Sequence, residues 1–212
     1  HDVKGETDSF DYYVGGLPKN PKPPFNYKAP FSPVDVIEEY IRPARMKVNG
    51  KRITRSALSE IENINFENVG TLEAFNTDGL RSILVTMDHI NNMKEKTLRY
   101  PGHAALMANY RNAGKFDKER IRKTSDELFR AWRLEKNEPE LTIMKIIIKI
   151  ERSKIEYNLY DEFDVKTGFS SMSRTTGFTA TATVNMVALN LFNECGVFPP
   201  ELVGKKLNCT EY

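Results

Sequence analysis

The chain has 212 residues, of which 40% are hydrophobic and 28% are charged, the composition of an ordinary globular protein that is long enough to bury a sizeable core. Its 31 basic and 29 acidic residues nearly balance, which argues against nucleic acid or an anionic membrane as the main partner. Its two cysteines predict neither a disulfide framework nor a zinc site, and no apolar run approaches the ~18 residues of a membrane span.

The N-terminal part of the chain combines an aromatic strand, a proline-rich loop and a short helix. Aromatic residues predict the strand over 10–14. Six prolines between positions 18 and 33 exclude a helix or a central strand there. The aromatic residues among these prolines predict a packed loop rather than a disordered linker. A helix is predicted over 34–41, with Ser32 as its N-cap and Pro33 in its first turn.

Two further segments carry turn and cap signals. The Asn-Gly pair at 49–50 predicts a hairpin over 46–53 with a type I′ turn. A strand is predicted over 72–75, after which Asp78 is expected to cap a helix over 79–90 that has one apolar face. A ligand for a substrate amine is the alternative role for Asp78.

The middle of the chain predicts one strand followed by two helices. The strand covers 94–100 and the first helix covers 103–112, with Gly114 as the residue that ends it. The second helix covers about 124–134 and places leucine and tryptophan side chains inward.

The last third predicts a β-hairpin and a final helix. The long β runs 141–150 and 154–163, joined by a short turn, indicate two antiparallel strands. The helix is predicted over 179–193, where a face of alanine and threonine indicates close packing on another element. We therefore predict an α+β fold in which a mixed, largely antiparallel sheet has its helices packed on one side.

The segment 96–103 places an arginine, a phenol and an imidazole close to one strand end. Arg99 offers a planar, permanently charged group that suits a carboxylate ligand. The alternative is a structural ion pair between Arg99 and Glu95 or Glu73.

Five segments in register carry a family resemblance. They are YVGGLP at 13–18, LEAFNTDGL at 72–80, KTLRYPGH at 96–103, SRTTGF at 173–178 and GVFPPE at 196–201. From about residue 12 to 204 the chain resembles the saccharopine dehydrogenase family, and in particular the substrate-binding part that follows the nucleotide-binding domain. Within the family it is close to lysine 6-dehydrogenase-like members.

The resemblance implies a division of the chain. Residues 1–11 would be a remnant of the preceding nucleotide-binding domain or of a tag, 12–178 the substrate-binding and dimerisation domain, and 179–212 a helix and tail that return toward the nucleotide-binding domain. No glycine-rich fingerprint follows a predicted strand. A Rossmann domain is therefore absent from this chain, and NAD or NADP would be bound mainly by a domain outside it, without a metal.

The resemblance also implies which residues contact the substrate. These are Thr97, Leu98, Arg99 and Tyr100 at the strand end, Thr77 and Asp78 in the preceding loop, and Arg174 at the start of the final helix. Arg99 would grip an amino-acid carboxylate. Fungal saccharopine-forming members carry an arginine where Thr77 stands, and its loss favours a smaller amine such as lysine.

Two further assignments concern the cofactor side and the chemistry. Gly15, Gly16, Leu17 and Pro18 would mark the crossing between the domains near the reactive ring of the cofactor, with a plain turn as the alternative. His103 is a candidate general base, because a helix N-terminus keeps an imidazole neutral. A structural role for this histidine is the alternative.

The function implied by the resemblance is substrate binding in an NAD(P)-dependent oxidoreductase that acts on the CH–NH group of an amino acid. Saccharopine, lysine and a polyamine precursor all stay open as substrates. The protein would be a cytoplasmic homodimer with a small amino-acid substrate and with neither nucleic acid nor membrane as a partner, and this chain alone would be inactive. The rival from another class is a non-catalytic dimerisation or ligand-binding module that keeps the fold.

Overall fold

The computed structural model describes residues 6–210, and within that range the chain forms eight strands and seven helices. In chain order they are β1 Thr7–Pro18, α1 Pro33–Ile41, β2 Ala44–Val48, β3 Lys51–Arg55, β4 Glu62–Phe66, β5 Gly70–Asn76, α2 Ile83–Thr86, β6 Asn92–Arg99, α3 His103–Asn112, α4 Ile121–Ala131, β7 Glu140–Ile150, β8 Ser153–Glu162, α5 Ser171–Ala188, α6 Pro200–Val203 and α7 Leu207–Thr210.

The strands form one mixed sheet in the order β3-β2-β6-β1-β7-β8, and the β4–β5 hairpin joins it by pairing β5 with β6. Strands β1 and β6 are parallel, whereas every other pair is antiparallel. Strand β6 pairs with β2 at Met93 and with β5 from Lys96 to Arg99. The predicted α+β class with a largely antiparallel sheet is confirmed.

The first strand is longer than the sequence predicted and belongs to the centre of the sheet. Ser9 is in register with Asn92 of β6, and Asp11 is in register with Ile147 of β7. The fold therefore begins before the predicted boundary at residue 12. The first five residues of the predicted remnant lie outside the described residues.

Helices α1, α3 and α4 cover one face of the sheet with an aromatic core. Tyr40, Phe75 and Trp132 are fully buried there, together with Met107 and Leu128. Burial of each large apolar side chain contributes roughly 1.5–3 kcal/mol. A second apolar cluster includes Leu98, which alternates along β6 with Arg99 and therefore faces the other side of the sheet.

Elements with strong local signals form where the sequence predicted them. The helix over 103–112 matches α3, and Gly114 follows it at a φ of 68°. The 46–53 hairpin also forms, and positive φ angles at Asn49 and Gly50 fit the type I′ turn.

The predicted helix over 79–90 is wrong. Only the four residues of α2 are helical there, because Gly79 and Asp78 have partners elsewhere in the fold. The Gly79 amide donates to the Glu95 carboxylate at 3.0 Å, and Arg81 takes a left-handed φ of 48°. The segment is therefore mostly a loop, and its start is hydrogen-bonded to strand β6 of the sheet.

The last helix begins earlier than predicted and does not bury its small residues. Helix α5 starts at Ser171, where the Ser170 side chain accepts a hydrogen bond from the Ser173 amide. It therefore crosses the predicted boundary between residues 178 and 179. Thr181 and Thr183 are exposed, so the close packing that was predicted for this face is not made within the described chain.

The tail after α5 folds back onto the domain. Thr86 of α2 donates a hydrogen bond of 2.6 Å to Glu201 of α6, so the tail contacts the segment that follows the 77–82 loop. Between residues 6 and 210, none of the helices combines the length and the apolar character that a membrane crossing requires.

Candidate functional site

A cleft of about 330 Å³ opens beside β1 and β6, between α1 and the loop after β5. Its lining is predominantly acidic. The carboxylates are Asp35, Glu38, Glu39, Asp78 and Glu95, and the arginines are Arg42 and Arg81.

The register of the sheet explains which side chains reach this cleft. In the parallel pair β1–β6, Tyr12 lies beside Glu95 and Val14 lies beside Thr97. Side chains alternate along a strand, so these four residues face the same side of the sheet. Thr77 follows β5 directly and joins them.

Glu95 is buried at the base of the cleft, with 3% of its surface exposed. The Thr77 hydroxyl donates a hydrogen bond of 2.6 Å to its Oε2 atom, and the Gly79 amide donates to the same oxygen. The Thr77 hydroxyl also lies 2.8 Å from the Thr97 hydroxyl. Burial raises the pKa of Glu95 to about 7, with the Thr77 hydrogen bond opposing the shift and the charge of Glu39 adding to it.

Asp78 forms a bidentate ion pair rather than a helix cap. Its two oxygens each accept a hydrogen bond of 2.8 Å from the Arg45 guanidinium, and the Arg45 amide adds a third. Burial alone would raise the pKa of Asp78, but these hydrogen bonds outweigh it and hold the pKa below its ordinary value. The predicted capping role is wrong, since α2 begins only at Ile83.

Arg99 lies behind the cleft and is 2% exposed. Its Nη2 atom is 2.7 Å from Glu39 Oε2, and its guanidinium carbon is 4.4 Å from the centre of the Tyr27 ring. The ion-pair partner is thus Glu39 of α1, not Glu73 or Glu95. Carboxylate binding by Arg99 stays a prediction, and in this geometry a substrate would have to displace Glu39.

The His103 ring is fixed inside the aromatic core. Its Nε2 atom lies 2.8 Å from the Tyr40 hydroxyl, and its Nδ1 atom lies 2.8 Å from the Phe25 carbonyl oxygen. Nδ1 therefore carries the proton that the carbonyl accepts, while Nε2 accepts from Tyr40. Burial, followed by the charge of Arg99, lowers the pKa of His103 to about 3. This geometry supports a structural role for the histidine and gives no support to catalysis.

The remaining predicted substrate ligands do not line the cleft. Leu98 is fully buried in the opposite core, and the Tyr100 hydroxyl donates to the Pro18 carbonyl at 2.9 Å. Arg174 is held at the end of β8, where it contacts the Glu162 carbonyl and the Asp161 carboxylate.

The predicted domain-junction residues form the end of β1. A side chain on Gly15 would come within 2.8 Å of the Leu98 carbonyl oxygen, and one on Gly16 would meet Met172 of α5. These glycines permit close packing inside the sheet and against α5. They lie within a paired strand and not at a helix N-terminus, so they do not fit a pyrophosphate cradle. Among residues 6–210 no group of three or more metal-ligating side chains occurs.

Two cleft residues were missed by the sequence reasoning. Arg81 is exposed and forms no ion pair with any residue in the described range, although it lines the cleft. The Tyr12 hydroxyl also lacks a hydrogen-bond partner in that range, and burial, followed by the charge of Glu95, raises its pKa to about 12. Arg81 was placed within a predicted helix, and Tyr12 showed no signal beyond strand propensity.

Comparisons with known proteins agree with the fold. The family model described as saccharopine dehydrogenase C-terminal domain matches residues 1–211. Alpha-aminoadipic semialdehyde synthase from Arabidopsis thaliana is 32% identical over 129 residues, which are 56% of this chain and 12% of that protein. Apo histidine-tagged saccharopine dehydrogenase (L-Glu forming) from Saccharomyces cerevisiae superposes with a TM-score of 0.72 at 17% identity. That match covers 92% of this chain and 62% of the yeast chain, so the chain spans less than two thirds of either protein.

Proposed function

We propose that this chain, which belongs to the saccharopine dehydrogenase C-terminal domain family, is the amino-acid-binding part of an NAD(P)-dependent oxidoreductase that acts on a carbon bearing an amine. The observation that supports the proposal is the cleft, where an arginine without an ion pair faces buried carboxylates. An amino acid carries the complementary pair of charges.

Arg81 is the residue that would bind the carboxylate of the amino acid. Its guanidinium can form two parallel hydrogen bonds with a carboxylate, and it has no competing ion pair in the described chain. Arg42, the other cleft arginine, is 3.1 Å from Glu38 and is therefore already paired.

The carboxylates of the cleft would bind the amine of the amino acid. Glu39 is paired with Arg99 and Asp78 with Arg45, which leaves Asp35 and Glu95 without an ion pair among the described residues. A cationic amine would complete the charge balance there. Since carboxylates outnumber arginines in the lining, the cleft favours lysine over saccharopine, which carries three carboxylates.

Turnover by the complete protein tests this proposal. We expect reduction of NAD or NADP, followed through nicotinamide absorbance, when lysine is supplied, and a weaker response to saccharopine. An absence of turnover with both amino acids and both cofactors would contradict the dehydrogenase function. The alternative of a non-catalytic module would then stand.

A homodimer and a cytoplasmic location belong to the same proposal. The dimer is supported by apolar side chains that α5 exposes, among them Val184 and Val187 at 66% and 54%. Exposed apolar surface of this kind is typical of an interface.

A further inference from the structure

We propose that Glu95 is a catalytic residue that receives the reacting amine of the substrate and takes a proton from it. This inference rests on the proposed function and adds the group that prepares the amine for oxidation.

The two oxygens of Glu95 differ in their surroundings. Both protein donors, the Thr77 hydroxyl and the Gly79 amide, point at Oε2. No donor in the described chain reaches Oε1. The side chain lines the cleft, so a ligand can supply the missing donor to Oε1.

The hydroxyl chain around Glu95 fixes the direction of its hydrogen bonds. The Thr77 hydroxyl has one hydrogen, which it donates to Glu95 at 2.6 Å. At the 2.8 Å contact with Thr77, the Thr97 hydroxyl is therefore the donor. Donation to Oε2 from both Thr77 and Gly79 favours the carboxylate form over the carboxylic acid.

The loop after β5 is shaped to fit this carboxylate. A methyl group on Gly79 would lie 2.6 Å from Glu95 Oε2, so the absence of a side chain lets the backbone amide reach the carboxylate. The close contact between the Gly79 amide and Glu95 Oε2 therefore requires glycine at position 79, and it orients the Glu95 side chain.

Glu95 also lacks a cation. Arg99, whose charge acts on Glu95, is paired with Glu39, and Glu95 forms no ion pair within the described residues. A buried carboxylate without a counter-charge is unfavourable. An ammonium group on the ligand relieves this cost by pairing with Oε1.

The proton transfer balances without another reactant. An N–H bond of the substrate ammonium breaks, an O–H bond forms at Glu95 Oε1, and the electron pair stays on nitrogen. Loss of hydride from the adjacent carbon requires this neutral amine. A carboxyl whose pKa is raised to about 7 by burial is suited to exchange protons near neutral pH.

The first experiment measures proton release when the complete protein binds lysine at pH 7, by calorimetry in buffers of different ionisation enthalpy. Half of the Glu95 groups carry a proton at that pH if the pKa is about 7, so binding of an ammonium ion should release about half a proton per site. Glu95→Gln keeps the size of the side chain and one oxygen that accepts hydrogen bonds, but it does not titrate. This variant should therefore release no proton on binding. Unchanged release in this variant would overturn the inference.

The second experiment measures the pH dependence of kcat/KM for lysine. The wild type should lose activity as the pH falls through about 7, and Glu95→Gln should lower kcat about 100-fold and abolish this acid limb. Thr77→Val removes a hydrogen bond that lowers the pKa of Glu95, so its acid limb should move to higher pH. A purely structural Glu95 would leave the limb in place in both variants.

The two proposals fail in different ways. If the wild type neither binds nor oxidises lysine and saccharopine, the proposed function is wrong. If the wild type oxidises lysine while Glu95→Gln keeps the acid limb and the proton release, only the role of Glu95 is wrong. Glu67→Gln, which changes an exposed carboxylate outside the cleft, should match the wild type in both experiments.

Discussion

At the scale of single residues, the carboxylates and arginines around the cleft divide into paired and unpaired side chains. Arg99 and Glu39, and Arg45 and Asp78, neutralise one another. Arg81 keeps a free guanidinium at the same cleft. Arg81, which has no ion pair among the described residues, therefore indicates the site more clearly than Arg99, the arginine that the sequence analysis favoured.

Arg81→Ala should therefore raise the KM for the amino-acid substrate. Loss of one or two charged hydrogen bonds to a carboxylate, at roughly 1.5–3 kcal/mol each, predicts at least a tenfold increase. Steady-state kinetics on the complete enzyme measure it. Arg133→Ala is the control, since that side chain is 74% exposed and lies outside the cleft. Equal KM values in the two variants would exclude Arg81 as the carboxylate ligand.

Arg99→Ala should act on stability. It leaves the largely buried Glu39 carboxylate without its cation, and breaking such a pair costs about 3 kcal/mol of unfolding free energy. Arg42→Ala breaks an ion pair on the same helix whose side chains are 38% and 40% exposed, and should cost less than about 1 kcal/mol. Urea denaturation compares them. A tenfold rise in KM for Arg99→Ala at unchanged stability would restore Arg99 as a substrate ligand.

At the scale of elements, the sequence predicted what local signals control. Helix α3 has a turn before it and Gly114 after it, and the β7–β8 pair has long β runs around a tight turn. The loop after β5 could not be predicted in this way. Its shape depends on Glu95, which lies 16 residues further along the chain from Gly79. Arg99 and Glu39 are 60 residues apart in the sequence, so no local sequence signal predicts their ion pair either.

The tail gives a prediction at this scale. Glu201 of α6 accepts hydrogen bonds from Thr86 and Ser82 around α2. Glu201→Ala should speed amide exchange in α2 about 30-fold, because two hydrogen bonds worth about 1 kcal/mol each are lost. Hydrogen–deuterium exchange measures it. Glu194→Ala, which removes an ion pair with Lys206 inside the tail, should leave α2 unchanged, and an unchanged α2 in Glu201→Ala would show that the tail does not hold it.

At the scale of the whole molecule, the domain has a closed aromatic core, whereas most of helix α5 stays uncovered. After Thr175, helix α5 exposes most of its residues, and Val184 and Val187 lie one turn apart on the same side. We expect a second copy of the protein to cover them.

Light scattering on the complete protein tests the homodimer. The expected mass is twice that of the polypeptide, and Val184→Glu should shift it toward the monomer because a charge would be buried in an apolar contact. Val165→Glu is the matched control, since Val165 is 86% exposed and lies outside α5. A wild-type protein that is monomeric at all concentrations would contradict the dimer.

The proposed function requires the acidic cleft to bind an amino acid through its amine. Calorimetry can compare the binding of lysine and of norleucine to the complete protein, because the two ligands differ in the terminal ammonium group. We expect lysine to bind at least tenfold more tightly, because it forms an ion pair with a buried carboxylate. Equal affinities, or binding of norleucine alone, would contradict it.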